Sequence, residues 1–175
     1  IIFILLLWNY LKYKNPIINN YNKKLPLYLP FIFIFLLLVQ IFLGAFVSGL
    51  DAGQIYKTWP LMNQNYFPDD SNLSEFLSLK FLDSASLMQF VHRNLAYIII
   101  LLFAFISIIA FSNNSYAHLR FNTLIIFVVL VFQIFLGILT ILSGANIFLA
   151  SLHQIGSIIL VLSSLVLVYK NYSSN

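Results

Sequence analysis

Charge is what this chain has least of. Only 8% of its 175 residues are Asp, Glu, Lys or Arg, against roughly 25% in a soluble domain. Hydrophobic residues make up 61%, and the mean hydropathy is +0.94. Composition alone therefore reads as a membrane protein. Cysteine is absent, which excludes structural disulfides, thiolate metal sites and cysteine nucleophiles and leaves the compartment open. The net charge is +4, but the basic residues sit in short loops between apolar runs, so no nucleic-acid partner is implied.

The sequence also begins without methionine. Ile1 opens the run IIFILLLW, eight residues long, where a membrane span needs ~20. No basic segment precedes it, as a signal peptide would require. Residues 1–9 read as the end of a truncated transmembrane helix, and the chain as the C-terminal portion of a longer protein.

Four full-length apolar runs follow, at 31–50, 87–111, 122–142 and 147–169. Each is continuously apolar over ~20 residues, whereas barrel strands are ~10 residues long and alternate. The expected fold is all-α: a polytopic membrane protein whose core is an antiparallel four-helix transmembrane bundle. Residues 10–29 read as a polar inner loop with Lys12, Lys14, Lys23 and Lys24, broken by Pro16 and Pro26; Pro30 suits the first turn of the next helix. Residues 51–86 form a long outer loop carrying Lys57 and Lys80 against Asp51, Asp69, Asp70, Glu75 and Asp83. Residues 112–121, with His118 and Arg120, read as a short polar turn, 143–146 (SGAN) as a tight turn, and 170–175 as an inner tail. Basic residues favour the cytoplasmic side, which places the acidic loop and the SGAN turn outside.

The chain repeats itself. QIFLG occurs at 40–44 and again at 133–137, each time in an outward-running span. Each copy is followed by an inward-running span with a histidine near its start: MQFVHRNLAYIII around His92, LASLHQIGSIILV around His153. A duplicated helix pair, with a long loop inserted in the first copy, accounts for both matches.

Ionisable residues inside a membrane are costly and mark functional sites. His92 and His153 sit at similar depth, roughly 8 Å inside the outer boundary at ~1.5 Å per residue. Two imidazoles facing each other across a bundle suit a flat macrocycle with two axial positions, and histidine is a standard axial haem ligand. A zinc site wants three or four ligands, and the spans offer neither cysteine nor a carboxylate at that depth. Ala96, Gly156 and Ser157, one turn from the histidines, leave room for a ring edge. Arg93 either pairs with a haem propionate or snorkels to the interface. The bland reading of either histidine alone is a hydrogen bond to a neighbouring helix. Gln40 and Gln133 read as interhelical glue rather than pocket residues, Gly44, Gly137 and Gly156 as close-packing positions, and His118 as a solvated loop residue. Tyr56, Trp59 and Tyr66 either anchor at the interface or cover the pocket.

The strings GLDAGQIYKTWPLMNQNYFP (49–68), LMQFVHRNLAY (87–97), QIFLG and LASLHQIG (149–156) resemble haem A synthase, the membrane enzyme family of cytochrome oxidase assembly, in its alphaproteobacterial and mitochondrial branch. The resemblance covers nearly everything from Pro30 onward. It implies an eight-helix protein of two similar halves, of which this chain is the C-terminal one. It implies oxidation of the C8 methyl of haem O to a formyl group, giving haem A. It implies that His92 and His153 ligate the iron of a haem b cofactor held by residues 30–169, with Arg93 as a further cofactor-binding residue. The substrate haem O and the catalytic residues would then belong to the N-terminal half, so the fragment alone should not complete the reaction. The cysteine pair that some members carry in an outer loop has no counterpart here. Haem O synthase and oxidase assembly factors are the implied partners beside membrane lipid, and a homo-oligomer is compatible with the sequence. The implied location is the bacterial inner membrane, or alternatively the mitochondrial inner membrane. The competing readings are a stand-alone b-type membrane cytochrome and a haem-free transporter using His92 and Arg93.

Overall fold

A computed structural model of the chain describes residues 2–14 and 24–173. Among the described residues the α-helices are α1 Ile2–Lys14, α2 Tyr28–Gly49, α3 Leu73–Phe76, α4 Ala85–Ser112, α5 Ala117–Leu142 and α6 Ile147–Ser173. Among the described residues there is no strand, only an isolated bridge between Met62 and Asn65. Among the described residues four helices are long and apolar enough to cross a membrane, at Tyr28–Gly49, Ala85–Ser112, Asn114–Leu142 and Ile147–Ser173. The reason is elementary: in hydrocarbon every backbone N–H and C=O must be paired within its own segment. The chain is an all-α, polytopic, integral membrane protein.

The helix ends are set by local chemistry. Ser84 opens α4, its hydroxyl taking the Leu87 N–H and its carbonyl the Met88 N–H. The turn between α5 and α6 is a full Schellman closure. Gly144 takes φ +69°, the Gly144 N–H returns to Ile141 O at 2.9 Å and the Ala145 N–H to Thr140 O at 2.8 Å. Asn146 then caps α6, its side-chain oxygen accepting from the N–H groups of Phe148 and Leu149. In this way the SGAN turn fixes where His153 falls on its helix. Pro30 lies in the first turn of α2, where its missing N–H has no helical partner to lose.

Several polar residues turn out to be helical. α1 runs to Lys14 rather than ending by residue 9. α5 starts at Ala117, so His118 lies in its first turn and half-buried, not in a solvated loop. α6 runs through the expected tail to Ser173. Each extension puts polar side chains beyond the apolar run, where a continuing helix keeps its own backbone bonded at no cost in packing. Much of the expected inner loop, residues 15–23, and the last tail residues, 174–175, lie outside the described residues.

By proximity the chain falls into two compact units. One comprises Ile1–Leu37, Ile99–Val131 and Ser157–Asn175; the other comprises Leu38–Ile98 and Phe132–Gly156. In the first, Phe33 packs on Phe103 at 5.4 Å between ring centres, and Ile106, Leu119, Ile126 and Leu167 are fully buried. Trp8 of α1 meets Tyr169 edge-on at 5.3 Å. Buried Asn171 holds the main chain of Leu25 with both ends of its amide, at 2.8 and 3.1 Å. Lys170 Nζ donates to Asn122 at 2.7 Å.

The second unit holds the long loop and both histidines. Its buried members include Leu43, Ala52, Tyr56, Met62, Leu87, Met88 and Leu136. Gly53 of the loop comes so near the SGAN turn that a Cβ on it would stand 3.0 Å from that of Ala145. Within this unit α2 lies against α4 near Gln40, Gly44 and His92, and α5 lies against α6 near Gln133, Gly137, His153 and Gly156. The two helix pairs therefore carry the repeat seen in the sequence.

Candidate functional site

The site is built twice, on one plan. In the first copy, Gly44 of α2 faces the His92 ring: a Cβ at Gly44 would stand 3.2 Å from His92 Cε1. In the second, Gly137 of α5 faces His153, again with 3.2 Å to Cε1. These glycines are close-approach positions, and what approaches is the histidine. His92 stands eight positions past its cap Ser84 and His153 seven past Asn146, a difference of about 1.5 Å in depth. The two rings lie close enough for a charge on one to act on the other.

The glutamines of the repeat complete each copy differently. The Gln40 amide nitrogen donates to the His92 carbonyl oxygen at 3.0 Å and stands 3.2 Å from His92 Nε2. A carbonyl oxygen only accepts, so the NH₂ end of Gln40 faces it, and the second amide hydrogen faces the ring. Nε2 of His92 therefore offers a lone pair, which puts the ring proton on Nδ1. Gln133 instead packs on Gly156, where an added Cβ would fall 1.9 Å from the amide nitrogen. Gln40 thus joins its helix to the next, as interhelical glue does, and also addresses a histidine ring; Gln133 packs on the glycine one turn beyond the other histidine. The exact repeat of Gln and Gly four apart was the signal for this.

Nδ1 of His92 and of His153 is buried and has no partner at hydrogen-bond geometry. Each ring nevertheless interacts with the backbone of its glutamine, Gln40 for His92 and Gln133 for His153. Both histidines are themselves half-buried. Gln40 Oε1, Gln133 Nε2 and Arg93 Nε are further buried polar atoms without a partner.

Arg93 does not reach out to the interface. It is 7% exposed and lies under the outer loop. Nη1 donates to Thr58 O at 3.0 Å and Leu61 O at 3.3 Å, and Nη2 to Tyr56 O at 3.0 Å. The Gln89 amide joins it on Tyr56 O at 3.0 Å. The planar fork of guanidinium suits three carbonyls turned toward one point. A sequence shows the arginine but not that a loop thirty residues earlier turns its carbonyls inward.

The loop is fastened a second time, outside the spans. Asp70 accepts from Tyr56 Oη at 2.9 Å and from Ser86 Oγ at 2.6 Å, and Tyr56 Oη also accepts the Asp69 N–H at 3.0 Å. Burial pushes the Tyr56 phenol up, and the bond to Asp70 pushes it further. Desolvation alone would raise Asp70, but the Ser86 and Tyr56 hydroxyls outweigh it and hold the carboxyl below its usual range. Of the loop aromatics, Tyr56 is buried, Trp59 is exposed, and Tyr66 stacks edge-on against Phe90 and bonds Asn94.

The donors gathered here are a pair. Among the described residues no three His, Asp or Glu side chains come together to hold a metal ion. Two imidazoles, one of them with its Nε2 facing an amide N–H, fit a metal that brings its own equatorial ligands. The buried unpaired atoms around them, Arg93 Nε included, leave donors for a polar edge. The residues present therefore fit a haem.

Residues 1–165 match the family model described as cytochrome oxidase assembly protein. The chain is 40% identical over 156 residues to the haem A synthase of Pelagibacter ubique, covering 88% of this chain and 45% of that protein. It is 36% identical over 166 residues to the haem A synthase of Rickettsia felis, covering 92% and 48%. With that of Roseobacter denitrificans the identity is 38% over 116 residues, covering 66% and 30%. The chain thus spans about half the length, or less, of these relatives. No solved structure matches it. With the repeated pairs of helices, the paired histidines and a family match over nearly its whole length, this chain belongs to the haem A synthase family.

Proposed function

We propose that this chain is the haem b-binding, electron-transferring part of an enzyme that oxidises the C8 methyl of haem O to the formyl group of haem A. The observation that carries the reading is the paired Gly–His contact: His92 on Gly44 and His153 on Gly137, with both Nδ1 atoms turned inward and buried. His92 and His153 would hold the haem iron through their ring nitrogens. Gln40 would keep the His92 helix in place through its bond to the His92 carbonyl. Arg93 pins Tyr56, Thr58 and Leu61 with its Nη atoms and offers Nε to a propionate. The loop 51–86 so held keeps water from the outer end of the site. A bound haem b supplies reversible one-electron chemistry. Residues 30–169 form this functional body, acting with an N-terminal half that handles haem O and carries the catalytic residues; by itself the chain does not complete the reaction. Haem O synthase and oxidase assembly factors are the expected partners, and a bacterial inner membrane the expected location.

The test is the optical spectrum of the purified protein beside His92→Ala and His153→Ala variants. A six-coordinate low-spin haem b that is lost or becomes five-coordinate in either variant supports the assignment. Unchanged haem content and coordination in both sinks it. Conversion of haem O to haem A in cells carrying the same variants separates the synthase from a stand-alone b-type cytochrome.

A further inference from the structure

The repeated glutamine and glycine are not explained by ligation alone. In an α-helix the carbonyl of residue i accepts from the N–H of residue i+4, and the Cβ of residue i+4 flanks that carbonyl on the helix surface. A carbonyl oxygen has a second lone pair. Gly44 is the i+4 residue of Gln40, and Gly137 that of Gln133. Without a Cβ at these positions the glutamine carbonyls are open to the neighbouring helix. The side chain found in each opening is a histidine, with Cε1 3.2 Å from where the Cβ would be; Nδ1 of His92 lies 3.8 Å from that of Gly44, and Nδ1 and Nε2 of His153 both lie 3.7 Å from that of Gly137.

We infer that Gly44 and Gly137 are positioning residues that uncover the backbone carbonyls of Gln40 and Gln133 as acceptors for the Nδ1–H of His92 and His153, fixing both rings in the tautomer that presents Nε2. Two observations beyond the glycines point the same way. Each ring interacts with the backbone of its own glutamine. The Gln40 amide, oriented by the His92 carbonyl, presents a hydrogen to Nε2 and so requires a lone pair there. Metal-ligating histidines commonly donate their other N–H to a carbonyl or carboxylate, which sets tautomer and orientation and raises ligand basicity. Here the acceptor is main chain, and a glycine four residues on exposes it. The device is encoded by the QIFLG repeat itself, which explains why the repeat keeps Gln and Gly in step with each histidine. The inference rests on the proposed ligation only for its consequence; the Gln40 contact bears on the His92 tautomer alone, and that of His153 follows from the repeat.

The test uses the full-length protein that carries this chain, purified in detergent, with ¹⁵N-labelled histidine. In the haem-free protein, resonances assigned through His92→Gln and His153→Gln report which ring nitrogen is protonated. Protonated Nδ1 and unprotonated Nε2 are expected for both rings. An added methyl must shift the ring by a few tenths of an ångström, so Gly44→Ala moves His92 toward a mixture of tautomers and Gly137→Ala does the same to His153. Gly49→Ala, on the same helix as Gly44 with nothing within 4 Å, moves neither. In the haem-loaded protein Gly44→Ala and Gly137→Ala raise the midpoint potential while the haem stays six-coordinate, because a less basic imidazole favours the ferric state less. An Nε2–H tautomer in the wild type overturns the inference without any variant. So does an unchanged tautomer in both alanine variants, or an equal change in Gly49→Ala. Failure to load haem in the wild type counts against the ligation reading alone, since the tautomers are still read.

Discussion

Arg93 shows how one side chain can serve a membrane boundary. A guanidinium 93% removed from solvent is costly unless its hydrogens are taken up. Here three loop carbonyls take them, with no carboxylate among its hydrogen-bond partners. Removing the side chain takes the guanidinium donor from the Thr58 carbonyl and leaves Tyr56 O to Gln89 and Leu61 O to the Thr58 hydroxyl, a loss of about 3 kcal/mol at hydrogen-bond values for charged groups. Arg93→Ala should therefore loosen residues 56–61, seen as cleavage of the outer loop by an added protease at least tenfold faster than in the wild type. Arg93→Lys keeps the charge but not the fork, and should fall between the two. Equal cleavage in all three would mean that the loop is held elsewhere. The arginine itself was legible in the sequence as an ionisable residue at a span's outer end. Its partners were not, because backbone carbonyls carry no letter.

At the scale of elements, the outer loop is tied by groups that titrate. Asp70 has a lowered pKa in the fold, so its contribution is present above the ordinary carboxylate value of about 4 and is lost as pH falls through the lowered one. Tyr56 has a raised pKa, so its contribution is present below about 10 and is lost as pH rises through the raised one. Hydrogen exchange across residues 56–70 should thus be slow and flat over a broad middle range after correction for intrinsic exchange. Protection should fall at both ends. Asp70→Asn should abolish the acid limb and leave slower exchange only where Arg93 holds the loop. Persistence of the acid limb in that variant would remove Asp70 as its cause. The helices around this loop were largely foreseen, since α2, α4, α5 and α6 each contain the apolar run that predicted them. Their ends were not: Lys14, His118 and Ser173 are helical, because a helix continues past its apolar stretch wherever a polar side chain finds a partner, as Lys170 does on Asn122 and Asn171 on Leu25.

For the whole molecule, the distribution of charge carries a topology. All five Asp and Glu residues lie in 51–83, while the end of α1 and the connector to α2 together carry four lysines. The positive-inside rule then puts the loop 51–86 on the outer face and the α4–α5 turn on the cytoplasmic one. The absence of cysteine makes this measurable against a clean background. Expressed in a bacterial host, Gln64→Cys should react with an impermeant maleimide in intact spheroplasts. Ser112→Cys should react only after permeabilisation. The reverse pattern would invert the orientation and place the histidine pair nearer the cytoplasm.

What the sequence by itself determined is the number and identity of the spans, the duplication, and the two histidines at matching depth. These are one-dimensional properties: bilayer thickness sets the run length, and the repeat sets the phase. Tertiary structure alone decided what surrounds those histidines. It set Gly44 and Gly137 against the two rings, gave the Gln40 amide to His92, and turned three loop carbonyls onto Arg93. The physical reason is that burying a polar group is tolerable only beside a partner. Here those partners lie on other helices or are main-chain atoms, which only the folded chain brings within reach.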